Sequence, residues 1–421
     1  MRKKRITLLG SILCFIFHFS FSQGRRCAVE SKTTDLLRNE QLQSLIEQNR
    51  LKTNRQTRTA TEIITIPVVV HVIHSDRSGI IGGENNGNIS DEQILSQIRV
   101  LNNDFRRIPN TLGFNDNPVG TDMEINFELA RKTPDGLPTN GIIRVYNPKA
   151  SYDVFDDIDL LSQLSYWDSE RYLNIWVTTL TDNYIGYAEF PTGDFNGLDF
   201  DETNPRTDGV IIEHTVFGNR TGTASFGSYT YGRTLTHEVG HWFGLIHTWG
   251  DSFCGTDYCE DTPQVSGPNN TNACVARPSR CDGVSRIPMI ENYLDYTPDS
   301  CMNTFTQSQK ERIRAIIEIS QRRNRLVKAA QLNFQPVTET TLSIINNPGT
   351  NSTLQIRVDL PDFQDFTVNL FSLSGVLITS KEYIDFPGAL ITAGELTQKK
   401  GIYIVQLQTD TNVLTKKIIL F

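Results

Sequence analysis

Apolar residues in the central part of the chain follow two different periodicities. The β-branched run over residues 63–73 predicts a buried strand, and shorter runs at 125–130, 172–178 and 209–213 predict three more. Residues 90–105 carry apolar side chains three and four positions apart behind a serine, which predicts a capped amphipathic helix. This mixture of elements predicts an α+β domain.

The segment before this domain is polar and carries one predicted helix. Residues 35–50 place Leu42, Leu45 and Ile46 on one helical face. The following stretch, residues 50–58, is basic and poor in apolar side chains, so we expect an exposed and cleavable connector.

A closing helix and a different kind of region follow the central domain. The sequence Thr-Gln-Ser-Gln at 306–309 is a capping box, which predicts a helix start. Beyond this helix, Pro, Gly, Asn and Thr separate short strand-like runs that include 367–373, 401–408 and 416–421. Such spacing predicts a small all-β sandwich.

The first residues have the pattern of an export signal. Residues 2–5 are Arg-Lys-Lys-Arg, an apolar run reaches Phe21, and small residues precede Gln23. We therefore expect a signal peptide over residues 1–22 and an exported chain in which disulfides can form. No later stretch approaches 18 apolar residues, so we expect no membrane span in the mature protein.

Composition narrows the function classes. The 421 residues include 40 Lys and Arg against 48 Asp and Glu, a net charge of −8, so we expect no nucleic-acid partner. Apolar residues make up 38%, which is enough for a core and excludes global disorder. Five of the seven cysteines lie close together in the chain: Cys254, Cys259, Cys274, Cys281 and Cys301.

One motif, His-Glu-Val-Gly-His-Trp-Phe-Gly-Leu-Ile-His, carries the candidate chemistry. His237 and His241 are one helical turn apart and project from the same face, so both can bind one zinc ion. Gly244 lets the chain leave the helix, and His247 can then return as a third ligand. Three protein ligands leave a position for water, which indicates a catalytic site. Glu238 is placed to take the proton of a zinc-activated water.

The motif and its surroundings resemble the metzincin zinc endopeptidases and, among them, the pappalysins. The resemblance covers most of residues 62–320. Beyond the motif it rests on Ile-Pro-Val-Val-Val-His-Val-Ile-His at 66–74, Tyr-Leu-Asn-Ile-Trp-Val at 172–177, Asp-Thr-Pro at 261–263 and Asn-Tyr-Leu-Asp-Tyr at 292–296. It implies a metzincin-like α+β fold, with an N-terminal α/β subdomain, an irregular C-terminal subdomain and the active-site cleft between them.

The same resemblance implies a secreted metalloendopeptidase that hydrolyses bonds in protein or peptide substrates, with one catalytic Zn²⁺ and Glu238 as general base. Two alternatives stay open. One is a non-catalytic secreted surface-binding or adhesion protein on a metalloprotease scaffold, and the other is a zinc hydrolase acting on a non-peptide bond. The intact Glu238 argues against the first, because a structural zinc site has no use for a base.

The resemblance also assigns roles to three positions of one turn. Leu294 stands where the family has methionine beneath the zinc, and its similar volume predicts a packing cost below about 1.5 kcal/mol. Tyr296 matches a tyrosine that stabilises the oxyanion, although a packed core tyrosine is an alternative. Some relatives read a basic residue after the cleaved bond through an acidic pocket near this turn. Here Ser300 immediately precedes Cys301, with Asp299 and Asp295 nearby, so that preference stays open.

An acidic loop after the motif resembles the family's calcium-binding loop. Oxygen ligands of the kind that Ca²⁺ requires come from Asp257, Glu260, Asp261 and Thr262. The alternative is a solvated acidic loop. We therefore expect a structural Ca²⁺ as well as the catalytic zinc.

Cys27 resembles the cysteine switch of metzincin proenzymes. A thiolate from Cys27 could occupy the fourth zinc position before activation, and Arg25 and Arg26 would favour its ligating form. For the other cysteines the resemblance implies that Cys254 pairs with Cys281 and Cys274 with Cys301, although four cysteines allow three pairings. Cys259 is then left over.

The end of the chain resembles the sorting domain of type IX secretion in Bacteroidetes. The matching segments are Asn-Asn-Pro-Gly at 346–349, Leu-Phe-Ser-Leu-Ser-Gly at 370–375, Gly-Ile-Tyr-Ile-Val at 401–405 and Lys-Lys-Ile-Ile at 416–419. The resemblance implies that the type IX machinery is a partner, and that the protein crosses the periplasm and outer membrane to an extracellular or cell-surface location. A generic carbohydrate- or surface-binding sandwich is the alternative.

Together these patterns predict five regions. They are a signal peptide (1–22), a propeptide (23–60), a metzincin catalytic domain (61–330), a linker (331–341) and a C-terminal β-sandwich sorting domain (342–421).

Overall fold

A computed structural model shows how these regions fold. It describes residues 27–28, 40–56, 63–191, 204–271, 273–333 and 337–421. The predicted signal peptide, both arginines before Cys27 and the end of the predicted connector at Arg58 lie outside the described residues. Among the helices that are described, none is long and apolar enough to cross a membrane.

The central domain is built on one mixed sheet. Its strands are β1 (Ile64–His74), β2 (Ile125–Leu129), β3 (Ile142–Tyr146), β4 (Leu173–Thr178), β5 (Gly186–Ala188) and β6 (Gly209–Glu213). The order is β2-β1-β4-β6-β5, with β3 also paired to β1, and only the edge strand β5 runs antiparallel to its neighbour. The four predicted strands are confirmed to within one residue. β1, β4 and β6 are almost wholly buried, as expected for continuous apolar runs in a parallel sheet.

Helices accompany this sheet along the chain. They are α1 (Glu40–Gln56), α2 (Asp91–Phe105), α3 (Ile158–Leu164), α4 (Arg233–Trp242), α5 (Gln307–Ile319) and α6 (Gln321–Asn333). The side chain of Ser90 caps α2 by accepting the backbone N–H of Gln93. The predicted capping box of Thr306 and Gln309 starts α5. Both predicted helix starts are therefore confirmed.

The predicted boundary between the first helix and the connector is wrong. The predicted start, residues 35–39, lies outside the described residues, but α1 continues six residues beyond its predicted end, so most of the predicted connector is helical. Arg50 pairs with Glu47 on the same helix and with Glu311 on α5, both at 2.7 Å. Leu42 and Ile46 lie on the predicted face and pack on α5 against Ala315, Ile316 and Ile319. These contacts hold the predicted part of α1 on α5.

Two disulfides hold the irregular region after α4. They join Cys254 to Cys281 and Cys274 to Cys301, which is the pairing that the family resemblance implied. Each closes a sequence separation of 27 residues, and a two-stranded hairpin, β7 (Ser279–Cys281) and β8 (Val284–Arg286), adds the regular structure there. Cys259 is buried outside both bridges, and burial raises the pKa of its thiol.

The C-terminal region forms its own antiparallel sheet. Its strands are β9 (Thr341–Ile345), β10 (Gln355–Ser372), β11 (Leu377–Thr392), β12 (Gly401–Gln408) and β13 (Val413–Leu420). β9 pairs with the first part of the long β10, β12 pairs with its last part, and β11 follows the other edge. The predicted all-β region is thus one curled sheet, and its apolar side chains, including Ile356, Val368 and Val405, form a common core.

Candidate active site

Two buried carboxylates fix the N-terminal part of α4, the helix that carries the motif. Asp104, at the end of α2, accepts a 2.7 Å hydrogen bond from Thr236 and pairs with Arg233 at 3.2 Å. Asp299 accepts the backbone N–H groups of Tyr231 and Arg233, at 3.1 and 3.0 Å. Negative groups at a helix N-terminus also interact favourably with its dipole. These contacts set the position of α4 against α2.

Three histidine nitrogens converge beside α4. The Nε2 of His241 lies 3.0 Å from that of His237 and 3.1 Å from that of His247, and the remaining pair is 3.2 Å apart. All three side chains are buried. Tetrahedral ligands at the usual zinc–nitrogen distance are about 3.3 Å apart. The spacing of the three nitrogens therefore fits one zinc ion.

The hydrogen bonds made by the Nδ1 atoms determine which nitrogen of each imidazole ring carries the proton. Nδ1 of His237 donates to the carbonyl oxygen of Tyr293 at 2.6 Å, and Nδ1 of His241 donates to that of Leu245 at 2.9 Å. A neutral ring that donates from Nδ1 keeps its lone pair on Nε2. Burial also lowers the pKa of His241 to about 3, so this ring stays neutral at physiological pH.

A turn at Gly244 returns the chain to the cluster. Gly244 has φ +90°, and a Cβ there would lie 2.4 Å from Cδ1 of Ile316 on α5. The Gly244 carbonyl accepts the Nε–H of Arg312 at 3.0 Å. The turn thus holds the helix exit against α5 and brings His247 to the other histidines, where its Nδ1 faces Oδ1 of Asp251.

Glu238 is fully buried and lies against the edge strand β5. A Cβ built on Gly186 of this strand would lie 2.5 Å from Oε1 of Glu238. The strand can approach the carboxylate this closely only because residue 186 is glycine.

Cys27 lies in the same cluster. Its Sγ donates to Oε2 of Glu238 at 3.4 Å, and Sγ and the ligand nitrogens of the three histidines all lie within 4.8 Å of one another. Backbone pairing places it there, because the N–H of Ala28 donates to the carbonyl of Gly186 at 3.2 Å. The structure therefore brings together every residue of the predicted zinc set.

The turn after the disulfide region contributes Leu294 and Tyr296. Leu294 is buried and lies against α4, with its Cδ2 3.2 Å from where a Cβ on Gly240 would be. The ring of Tyr296 lies 4.9 Å from that of His247 and 5.9 Å from that of His237, measured between centroids. Both residues are next to the histidine cluster, as the resemblance implied.

The four residues of the predicted calcium loop have different environments. Thr262 donates to Oδ2 of Asp257 at 2.7 Å, and burial raises the pKa of Asp257 to about 7. Asp261 accepts the backbone N–H of Ser308, at the start of α5, and Glu260 is exposed. The calcium site stays a prediction.

Sequence reasoning missed several residues that support the cluster. Gly186 and Asp104 lie far from the motif in sequence and have no local signal. Asp299 was considered only for substrate preference, whereas its carboxylate accepts the N–H groups at the start of α4. The sequence did offer an indication that Asp251 lies near the cluster, because it follows His247 by only four residues.

Two buried histidines and a carboxylate lie on a helix at the edge of a mixed sheet, and a third buried histidine follows on the turn after it. This arrangement is that of a metalloprotease. Two family models match parts of the chain. Residues 159–318 match the peptidase family described as pregnancy-associated plasma protein-A, the pappalysins. Residues 343–420 match the model described as a secretion system C-terminal sorting domain.

Relatives and solved structures agree with this class. The chain is 33% identical over 257 residues to an extracellular metalloprotease of Verticillium alfalfae, which covers 61% of this chain and 76% of that protein. A promirolysin mutant from Tannerella forsythia is 36% identical, with a TM-score of 0.60, and covers 74% of this chain and 100% of its own. Mature mirolysin of Tannerella forsythia in complex with a cleaved peptide is 38% identical, with a TM-score of 0.57. The match covers 66% of this chain and 100% of the mirolysin chain.

The chain belongs to the pappalysin family of secreted metalloproteases. The predicted family, enzyme class, fold class and export are therefore confirmed, and the C-terminal sheet is a secretion sorting domain.

Proposed function

We propose that this protein is a zinc endopeptidase made as a latent proenzyme, with Glu238 as its general base. The observation that carries the proposal is the convergence of the Nε2 atoms of His237, His241 and His247 beside the Glu238 carboxylate and the Cys27 thiol. The family supports a metal-dependent protease, and these residues supply its mechanism.

Zinc, when bound, would supply a Lewis acid that polarises the scissile carbonyl and acidifies a water molecule. The three histidines would hold the ion through Nε2, because their Nδ1 atoms are engaged with Tyr293, Leu245 and Asp251. Glu238 takes the proton of the attacking water and passes it to the leaving amine.

Tyr296 is proposed to donate its hydroxyl to the oxyanion of the tetrahedral intermediate. Its place beside His237 and His247 supports this role. Such a donor contributes most in the transition state. Tyr296→Phe should therefore lower kcat with little change in zinc content.

Cys27 is proposed to keep the proenzyme latent. Its thiol stands next to both the general base and the ligand nitrogens, so it takes the place that the water needs. Since Arg50 is held in two ion pairs, we place the activating cleavage after α1 rather than at Arg50. Cys27→Ala should give an enzyme that is active before cleavage. Unchanged latency of this variant would contradict the proposed role of Cys27.

The C-terminal sorting domain is proposed to engage the type IX secretion machinery. Deletion of residues 342–421 should leave the protein in the periplasm. Normal export with weaker attachment to a surface would instead indicate a binding module.

A structural Ca²⁺ held by Asp257, Asp261, Thr262 and Glu260 is a further proposal, tested by calcium titration of wild type and Asp257→Asn.

The mechanism is tested by Glu238→Ala in the secreted protein after removal of its propeptide. Zinc content should match wild type while casein cleavage is lost, and Glu92→Ala, an exposed carboxylate on α2, should remain fully active. Substantial residual hydrolysis by Glu238→Ala would contradict the role of the base. Wild type that binds zinc but cleaves nothing would favour a non-catalytic adhesion protein on this scaffold.

A further inference from the structure

His247 is held differently from the other two histidines. His237 and His241 both donate from Nδ1 to neutral backbone carbonyls. The Nδ1 of His247 instead faces the carboxylate oxygen Oδ1 of Asp251, four residues later. Among the described contacts of these three rings, only that of His247 has a charged acceptor.

The local backbone is bent to place Asp251 there. Gly250 has φ +64° and donates its N–H to the carbonyl of His247 at 2.8 Å. Asp251 itself has φ +52°, a left-handed conformation that few residues other than Gly, Asn and Asp adopt readily.

The carboxylate is also removed from solvent. The side chain of Asp251 is 4% exposed and that of His247 is 0% exposed. The indole of Trp249 stacks on the His247 ring at 4.3 Å with an interplanar angle of 9°. A buried carboxylate loses hydration energy, which a partner must offset. Here the imidazole N–H is that partner.

We propose that Asp251 is the positioning residue that orients His247 and strengthens it as a metal ligand. The carboxylate fixes the proton on Nδ1 and directs the Nε2 lone pair toward the other two nitrogens. Carboxylate partners of this kind change metal affinity by about 10- to 100-fold in other sites. The inference rests on the proposed function, because it takes the histidines to be zinc ligands.

The test compares zinc dissociation constants of the full chain, measured by competition with a chromophoric chelator. Asp251→Asn keeps the shape and a carbonyl oxygen but removes the charge, so zinc should bind about 10- to 100-fold more weakly. Asp282→Asn is the matched control, because Asp282 has nearly the same φ, +51°, but is exposed. It should bind zinc as wild type does.

A second readout separates positioning from a purely structural role. In the cobalt-substituted protein, Asp251→Asn should shift the visible ligand-field bands, whereas Asp282→Asn should not. Unchanged zinc affinity and an unchanged cobalt spectrum in Asp251→Asn would overturn the inference, even if wild type binds zinc and cleaves peptides. If His247→Ala binds zinc as tightly as wild type, the proposed function itself fails.

Discussion

Replacing Gly186 by alanine tests whether the edge strand positions the general base. The added Cβ would lie 2.5 Å from Oε1, 2.7 Å from Cγ and 2.9 Å from Cδ of Glu238. Carbon contacts are ordinarily about 3.5–4.0 Å, so the carboxylate must move by about 1 Å. A misplacement of that size costs about 100-fold in rate. We therefore expect kcat/KM to fall about 100-fold.

Stability should change much less than activity. The atoms in the way belong to the end of one side chain, so we expect the free energy of unfolding to fall by at most about 1–3 kcal/mol. The assay is cleavage of a quenched fluorescent peptide by the enzyme without its propeptide, alongside zinc content and urea unfolding. Gly267→Ala is the control, because nothing lies within 4 Å of its added Cβ.

A double variant isolates the contact. In a Glu238→Ala background the clashing atoms are absent, so Gly186→Ala should then cost little stability. The reasoning is refuted if Gly186→Ala alone retains activity within about threefold of wild type, or if its stability loss is the same in both backgrounds.

Other predictions concern the scaffold. His71 is buried between Ser165 and Asn174, and burial lowers its pKa to about 4. Its contribution to the free energy of unfolding is therefore complete above pH 6.5 and falls by about 3 kcal/mol as the pH is lowered toward 4. Urea unfolding at pH 7 and 4.5 should show this loss in wild type relative to His71→Asn, and parallel pH profiles would contradict it. Asp208→Ala leaves Arg323 buried without its 2.7 Å partner and should cost about 3–5 kcal/mol, whereas Glu170→Ala, at an exposed ion pair, should cost less than about 1 kcal/mol. Joint replacement of Cys254 and Cys281 by serine should cost about 3–4 kcal/mol in thermal or urea unfolding, and an unchanged midpoint would contradict a structural role for this bridge.

Local patterns predicted the regular elements well wherever local forces decide them. Three of the four predicted strands, β1, β4 and β6, are almost wholly buried, and both predicted helix starts have side-chain caps within three residues. The end of α1 was predicted less well, because a basic stretch poor in apolar residues favours a connector, whereas the helix continues through it to Gln56.

The sequence by itself predicted the candidate ligand set, since His237, His241 and His247 lie within a span of eleven residues and helix geometry with one glycine lets their side chains converge. Tertiary structure decided what surrounds them. Cys27 lies 211 residues before Glu238, yet pairing with β5 places its thiol 3.4 Å from that carboxylate. The close approach of Gly186 and the carbonyl of Tyr293 behind His237 arise in the same way. Contacts across such separations depend on how the sheet and helices pack, which no local pattern encodes.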